Sequence, residues 1–195
     1  MTDLIFATNN QHKLREVREI LGQSFNIVGL RGMNIFEEIP ETQDTIEGNA
    51  IQKARFIYEK TGMSCFADDT GLEIEALDGR PGVYSARYAG EGCSFADNVR
   101  KILLEMEGMT NRKAAFRCIF CLIIDGREFL FEGKVNGEIT LSSSGGEGFG
   151  YDPVFLPDGY RQTFAEMPPY LKNGISHRGR AAEKMKQFIN SEVAR

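Results

Sequence analysis

"LIFATNNQHKLREVREILG", residues 4–22, joins four apolar residues to a segment in which Leu14, Val17 and Leu21 recur at helical spacing, until Gly22 stops it. A buried strand feeding an amphipathic helix is a βα unit, the building block of α/β folds. The alternation continues. "NIVGL" (26–30) reads as a second strand, and Ile46, Ala50, Ala54 and Ile57 mark a helix from about Thr45 to Lys60, ended by Gly62. "LEIEAL" (72–77) alternates apolar and acidic residues like a half-exposed strand, and Val99, Ile102, Leu103 and Met106 mark a helix from about Ser94 to Glu107, closed by Gly108. "AAFRCIFCLII" (114–124) and "REFLFEGKV" (127–135) form a β-hairpin across Asp125-Gly126, a pair suited to a tight turn. A last helix runs from about His177 to Ser191, with its apolar stripe at Ala181, Met185 and Phe188.

Residues 141–176 show little periodicity and are dense in Gly, Pro and aromatics. Composition alone would make "SSSGGEG" (142–148) a flexible linker, but loops this long inside a compact domain are often functional. With 195 residues, 42% hydrophobic and 26% charged, the chain fits one globular domain over 1–195 with a sizeable core. The net charge of −5 argues against a nucleic-acid polymer or an anionic membrane as partner, since both need a basic surface. "MTDLIFATNN" has no basic leader region, and no eighteen apolar residues stand in a row, so a soluble, cytoplasmic protein is expected. Cys118 and Cys121 form a C-x-x-C spacing within a strand, where residues three apart point to opposite faces, so buried thiols are expected there.

The chemistry begins at two helix starts. Thr8, Asn9 and Asn10 supply capping side chains, yet His12 and Lys13 put cations in the first turn, against the helix dipole. "NGISHRGRAAEK" repeats this with His177, Arg178 and Arg180 behind Ser176, and Lys172 lies just upstream. Solvent-facing cations would explain either start alone. Two suggest a site for a multiply charged anion such as a polyphosphate. Neither a Walker-type loop nor G-x-G-x-x-G is present to do this in the usual way. Asn49 and Lys53, four apart, share a helix face, with Glu41 just before that helix. Glu41, Asp68 and Asp69 are carboxylates near the carboxyl ends of strands, where α/β folds build sites, and they are ligands that magnesium prefers. In "GEGFGYDPVF" (146–155) three glycines let the backbone approach a ligand, and Phe149 and Tyr151 offer faces for stacking a base, or else belong to the core.

Together these segments resemble the inosine triphosphate pyrophosphatase family, also called non-standard purine NTP or dITP/XTP pyrophosphatases. "FATNNQHKLREV", "NAIQKA", "FADDTGLEIEALDGRPGVYSARYAG", "GFGYDPVF", "TFAEM" and "ISHRGRA" are similar to its motifs, in order and over nearly the whole chain. The resemblance implies an elongated mixed α/β fold, a mixed β-sheet with flanking helices and two lobes around a central cleft. It also implies a homodimer and magnesium-dependent hydrolysis of ITP, dITP and XTP to the monophosphate and pyrophosphate.

By motif, Thr8, Asn9, Asn10, Gln11, His12 and Lys13 would hold phosphates, and Glu41 with Asp69 would bind magnesium. Asp69 would also accept a proton, with Asp68 as its catalytic partner, and Thr70 would contact substrate. Phe149, Gly150, Tyr151, Asp152, Lys172, His177 and Arg178 would bind nucleotide, while Lys53 would offset phosphate charge. Gly48 stands where the family often has Glu, and Glu147 interrupts a frequent Gly-Gly pair. Both bear on loop shape and nucleotide preference. Two other readings stay open. One is an aspartyl-phosphate phosphatase, whose aspartates stand two apart on a strand so that both face the site; here they are adjacent. The other is a non-catalytic nucleotide-binding module.

Overall fold

The first strand, β1 (Thr2–Phe6), runs into α1 (Gln11–Leu21), and β2 (Phe25–Gly29) returns parallel to it, pairing Leu4 with Ile27. The computed structural model describes residues 2–193. After α2 (Ile46–Thr61), closed by Gly62 in the left-handed region, β3 (Cys65–Ile74) lies parallel to β1 on its other side. The short β4 (Pro81–Gly82) pairs antiparallel with β3, and α3 (Phe95–Glu105) starts from a capping box between Ser94 and Asp97. The hairpin of β5 (Lys113–Ile124) and β6 (Arg127–Ile139) turns at Asp125 and Gly126, both with positive φ. β7 (Phe155–Pro157), α4 (Pro169–Ile175) and α5 (His177–Val193) complete the order. The sheet is mixed, ordered β2-β1-β3-β5-β6-β7 with β4 off β3, so the class is mixed α/β. No helix among the described residues is long and apolar enough to cross a membrane.

The chain divides into two compact units. The first takes in the chain up to Asp69, residues 118–133 and everything from His177 on. Its core joins Leu14, Val17 and Leu21 of α1 to Ala181, Met185 and Ile189 of α5 around Phe6, Phe66 and Phe120. The Phe6 and Phe66 rings stack at 4.5 Å. The second unit, Thr70–Arg117 and Lys134–Ser176, gathers Val99 and Ile102 of α3, with Met106 just past its end, around Phe116, Phe155 and Phe164.

Two expectations need correction. The strand expected at 72–77 begins at Cys65 and stops at Ile74, and Glu75–Leu77 form a 3₁₀ turn. Asp78 and Gly79 take positive φ there, and the Gly79 N–H returns to the Ile74 carbonyl, which folds the chain back toward Pro81. The segment 141–176 is not one loop, because it holds β7 and α4. α4 has only seven residues, with Pro at its start and Gly174 inside, so it offers no periodic stripe to read. Cys118 and Cys121 are buried free thiols of β5, and burial pushes the Cys121 thiol up to about 12.

Candidate functional site

At the β1–α1 junction the chain organises itself. Thr8 Oγ1 accepts from the Asn10 N–H at 3.1 Å. Asn10 Oδ1 caps α1 by accepting from the N–H groups of His12 (2.9 Å) and Lys13 (3.2 Å). Gln11 Nε2 donates to the Asn9 carbonyl, and Asn9 Nδ2 to the Glu37 carbonyl, each at 3.4 Å. Lys13 then reaches across to β3, where its Nζ lies 3.0 Å from Asp68 Oδ1.

β3 stays extended through both aspartates, so their side chains leave the strand on opposite sides. Asp68 accepts from Lys13 and, at 3.2 Å, from Arg178 Nη2. Asp69 Oδ1 lies 3.4 Å from Lys53 Nζ, and its Oδ2 accepts from Asn49 Nδ2 at 3.3 Å. The shared helix face of Asn49 and Lys53 is thus the face that meets Asp69. Lys53 Nζ also donates to Glu41 Oε1 at 2.6 Å.

Burial alone would raise all three carboxyls, and their neighbours separate them. Asp68 falls below its usual range because Lys13, Arg178 and Lys53 outweigh burial. Glu41 falls because Lys53 does the same. Asp69 rises: burial is the largest cause, and the charges of Glu41 and Asp68 add to it against Lys53 and Lys13. Lys53 is raised although burial opposes this, because Asp69 and Glu41 hold its proton.

Arg178, at the start of α5, is 2% exposed and also donates to Glu16 Oε2 of α1 at 2.5 Å. His177 beside it is buried. Lys13 and Arg178, from two helix starts distant in sequence, thus both engage carboxylates of their own unit. Nothing in the sequence singles out Glu16. It follows Lys13 by three residues on a helix, an unremarkable place for an acid. The α5 start lies hard against β6: a Cβ on Gly133 would stand 1.9 Å from the His177 carbonyl oxygen.

The second unit carries the other candidates. Thr70, half-buried, follows Asp69 on β3. Asp152 is buried and accepts from the Phe149 N–H at 2.8 Å and from Lys172 Nζ at 2.6 Å. Lys172 Nζ also stands 5.2 Å from the Phe149 ring centroid, a cation–π distance. Gly148 and Gly150 take positive φ, and a Cβ on Gly148 would lie 2.1 Å from Asp152 Oδ2. Of the two readings of Tyr151, stacking face or core, the core is the one observed: the side chain is buried, and its hydroxyl donates to the Ser85 carbonyl at 2.7 Å. Phe149 lines, with Phe95 and Leu103, a groove of ≈ 930 Å³. Gly48 also has a local explanation, because a Cβ there would meet Gln43 Cβ at 2.8 Å.

No group of three or more His, Cys, Asp or Glu among the described residues is arranged to hold a metal ion. Glu41 and Asp69 still form a pair of hard oxygen donors joined through Lys53. Magnesium often takes only one or two protein carboxylates when substrate phosphates complete its shell. Among the seven side chains of this cluster, the carboxylates Glu16, Glu41, Asp68 and Asp69 outnumber the cations Lys13, Lys53 and Arg178 by one. A divalent cation would relieve that excess, so the residues fit the ion.

A mixed α/β protein with a buried carboxylate–cation cluster and a separate glycine-rich aromatic loop is the class that emerges. The model of the Ham1 family matches residues 4–188, and the chain belongs to that family. It is 50% identical over 188 residues to a dITP/XTP pyrophosphatase of Flavobacterium johnsoniae, covering 96% of this chain and 98% of that one. It is 52% identical over 190 residues to a dITP/XTP pyrophosphatase of Porphyromonas gingivalis, covering 97% and 98%. The solved HAM1 protein of Coxiella burnetii superposes with a TM-score of 0.89 at 36% identity, covering 98% of this chain and all of that one.

Proposed function

We propose that this protein is a magnesium-dependent nucleoside-triphosphate pyrophosphatase that hydrolyses dITP, XTP and ITP to the monophosphate and pyrophosphate, clearing deaminated purines from the nucleotide pool. The names of its relatives support the substrate class. The observation that carries the chemistry is the separation of adjacent carboxylates: Asp68 is held by Lys13 and Arg178, while Asp69 meets Lys53 and Asn49, with its carboxyl raised above the ordinary value by burial.

Asp69 takes the proton of the water that attacks the α-phosphorus, and pyrophosphate leaves. Lys53 keeps a positive charge against Asp69 and Glu41 and turns it toward the phosphates. Lys13 and the Thr8–His12 loop hold the triphosphate tail, with Asp68 placing Lys13. Glu41 and Asp69 would hold magnesium, which when bound supplies Lewis-acid stabilisation of phosphate charge. Phe149 stacks the base, Gly150 and Tyr151 shape its loop, and Asp152, Lys172, His177, Arg178 and Thr70 contact the nucleotide. Donors to a purine O6 leave an adenine amino group unpaired, which rejects ATP.

The whole of 1–195 acts as one catalytic domain, a reading supported by the family match over residues 4–188. A cytoplasmic location agrees with four free cysteines, and a homodimer is the assembly the resemblance implies. The adjacent aspartates, which leave β3 on opposite sides, do not support an aspartyl-phosphate phosphatase.

The test is a panel of nucleoside triphosphates with magnesium, scored for pyrophosphate against orthophosphate. Pyrophosphate from dITP, XTP and ITP, in preference to ATP, is expected. Orthophosphate would indicate a phosphatase, and binding without turnover a non-catalytic module.

A further inference from the structure

The stretch Glu41-Thr42-Gln43 has no regular secondary structure, yet each of its residues is held by a different side chain of α2. Lys53 takes Glu41. Gln52 takes Thr42 twice: its Oε1 accepts from the Thr42 N–H, and its Nε2 donates to Thr42 Oγ1, both at 2.9 Å. Asn49 takes Gln43, its Oδ1 accepting from the Gln43 N–H at 3.0 Å while its Nδ2 donates to Asp69. The order 53, 52, 49 against 41, 42, 43 lays the loop antiparallel along one helix face. Spacings of three and four put Asn49, Gln52 and Lys53 on that face.

We infer that Gln52 and Asn49 are positioning residues that preform the metal-holding pair, by fixing the Glu41 loop on α2 so that Glu41 and Asp69 stand together at Lys53. A carboxylate on an unanchored loop must be ordered when the ion arrives, and that ordering lowers affinity. The clamp does the ordering beforehand, as supporting hydrogen bonds do around other metal ligands. Asn49 serves both sides, because one amide touches the loop backbone and Asp69. Gln52 acts at one remove, on the residue next to Glu41. The inference rests on the reading of Glu41 and Asp69 as metal ligands.

The experiment titrates Mn²⁺ into nucleotide-free protein, followed by electron paramagnetic resonance, for wild type, Gln52→Met, Thr42→Val and Glu41→Gln. Amide exchange and thermal midpoints are measured alongside. Gln52→Met keeps the side-chain length and removes both bonds to Thr42. Its Mn²⁺ affinity is expected to fall roughly tenfold, within the range for groups that support metal ligands. The Thr42 amide should exchange faster, with the thermal midpoint unchanged. Thr42→Val, which loses one of the two bonds, should show a smaller shift in the same direction. Unchanged Mn²⁺ affinity in Gln52→Met beside a weakened Glu41→Gln overturns the clamp alone. Unchanged affinity in both overturns the metal reading and the clamp with it. A lower midpoint without a change in affinity makes Gln52 merely structural and also overturns the inference.

Discussion

Asp68 and Asp69 are neighbours on β3 whose carboxylates meet different cations: Lys13 and Arg178 hold the first, Lys53 the second. The pairing resolves what would otherwise be repulsion between adjacent charges. On the proposed mechanism it also gives the two residues separate tasks, one electrostatic and structural, the other chemical.

Removing each carboxylate should therefore have a different result. Asp69→Asn is expected to lower kcat by about 10²–10⁴-fold, the usual loss for a general base, with the fold intact. Asp68→Asn leaves buried Arg178 and Lys13 with one fewer carboxylate, and should destabilise the protein by about 3–5 kcal/mol. Steady-state assays with ITP and urea denaturation of both variants check this. Equal stability losses in the two would contradict the division.

The dependence of stability on pH follows from the sign of the Asp68 shift. Its carboxyl is held below the ordinary value of 3.8: burial acts upward, but Lys13, Arg178 and Lys53 outweigh it. The unfolded chain then binds this proton first, so the contribution of Asp68 is complete above 3.8 and is lost as pH falls toward the folded value. Glu41 shifts in the same direction. Thermal midpoints taken from about pH 5 down to about pH 2 should fall steeply in wild type and less steeply in Asp68→Asn.

Asp69 has the opposite sign. With burial as the largest cause, its carboxyl is raised above 3.8, so the base becomes ionised only at higher pH. The acidic limb of kcat/KM, which reports groups of the free enzyme, should lie above the ordinary value of 3.8. A limb at or below that value would remove Asp69 as the base.

Much of this was legible in the sequence because it is local. The βα unit, the Asp125-Gly126 hairpin and the Asn49/Lys53 face follow from spacings of two to four residues. Adjacent aspartates on an extended run already implied divergent side chains. What was not legible depends on distant partners. Glu16 matters through Arg178, 162 residues further along the chain, and no periodicity records that. Tyr151 looked like a stacking residue because its neighbours are glycines, yet its ring enters the core and its hydroxyl finds Ser85, 66 residues away. α4 was hidden by its shortness and its prolines.

The loop around Phe149 depends on a glycine with no room for a side chain. Gly148 has φ +75°, and a Cβ there would stand 2.1 Å from Asp152 Oδ2, the atom that binds the Phe149 N–H and Lys172. Gly148→Ala should displace that carboxylate and loosen Phe149. The KM for ITP is expected to rise on the order of tenfold, equivalent to about 1.4 kcal/mol, with a smaller change in kcat. An unchanged KM would detach this loop from nucleotide binding.

Gly133 tests how closely α5 must approach the sheet. Replacing glycine by alanine in a position that tolerates a Cβ commonly stabilises a protein by about 0.4–1 kcal/mol, because the unfolded chain loses freedom. Here the Cβ would meet the His177 carbonyl oxygen at 1.9 Å and the Ala181 nitrogen at 2.6 Å, both backbone atoms of the first turns of α5. Backbone cannot rotate away as a side chain can, so the helix start must move. Overpacking of this kind costs about 1–3 kcal/mol, and the sign of the ordinary glycine effect should reverse. The displaced turn carries Arg178, so its bonds to Glu16 and Asp68 should lengthen and ITP turnover should fall with stability. Urea midpoints and ITP turnover of Gly133→Ala measure both. A variant as stable as wild type with full activity would show that α5 can move from β6 without disturbing the cluster, and that Arg178 is held by its carboxylates rather than by the helix that carries it.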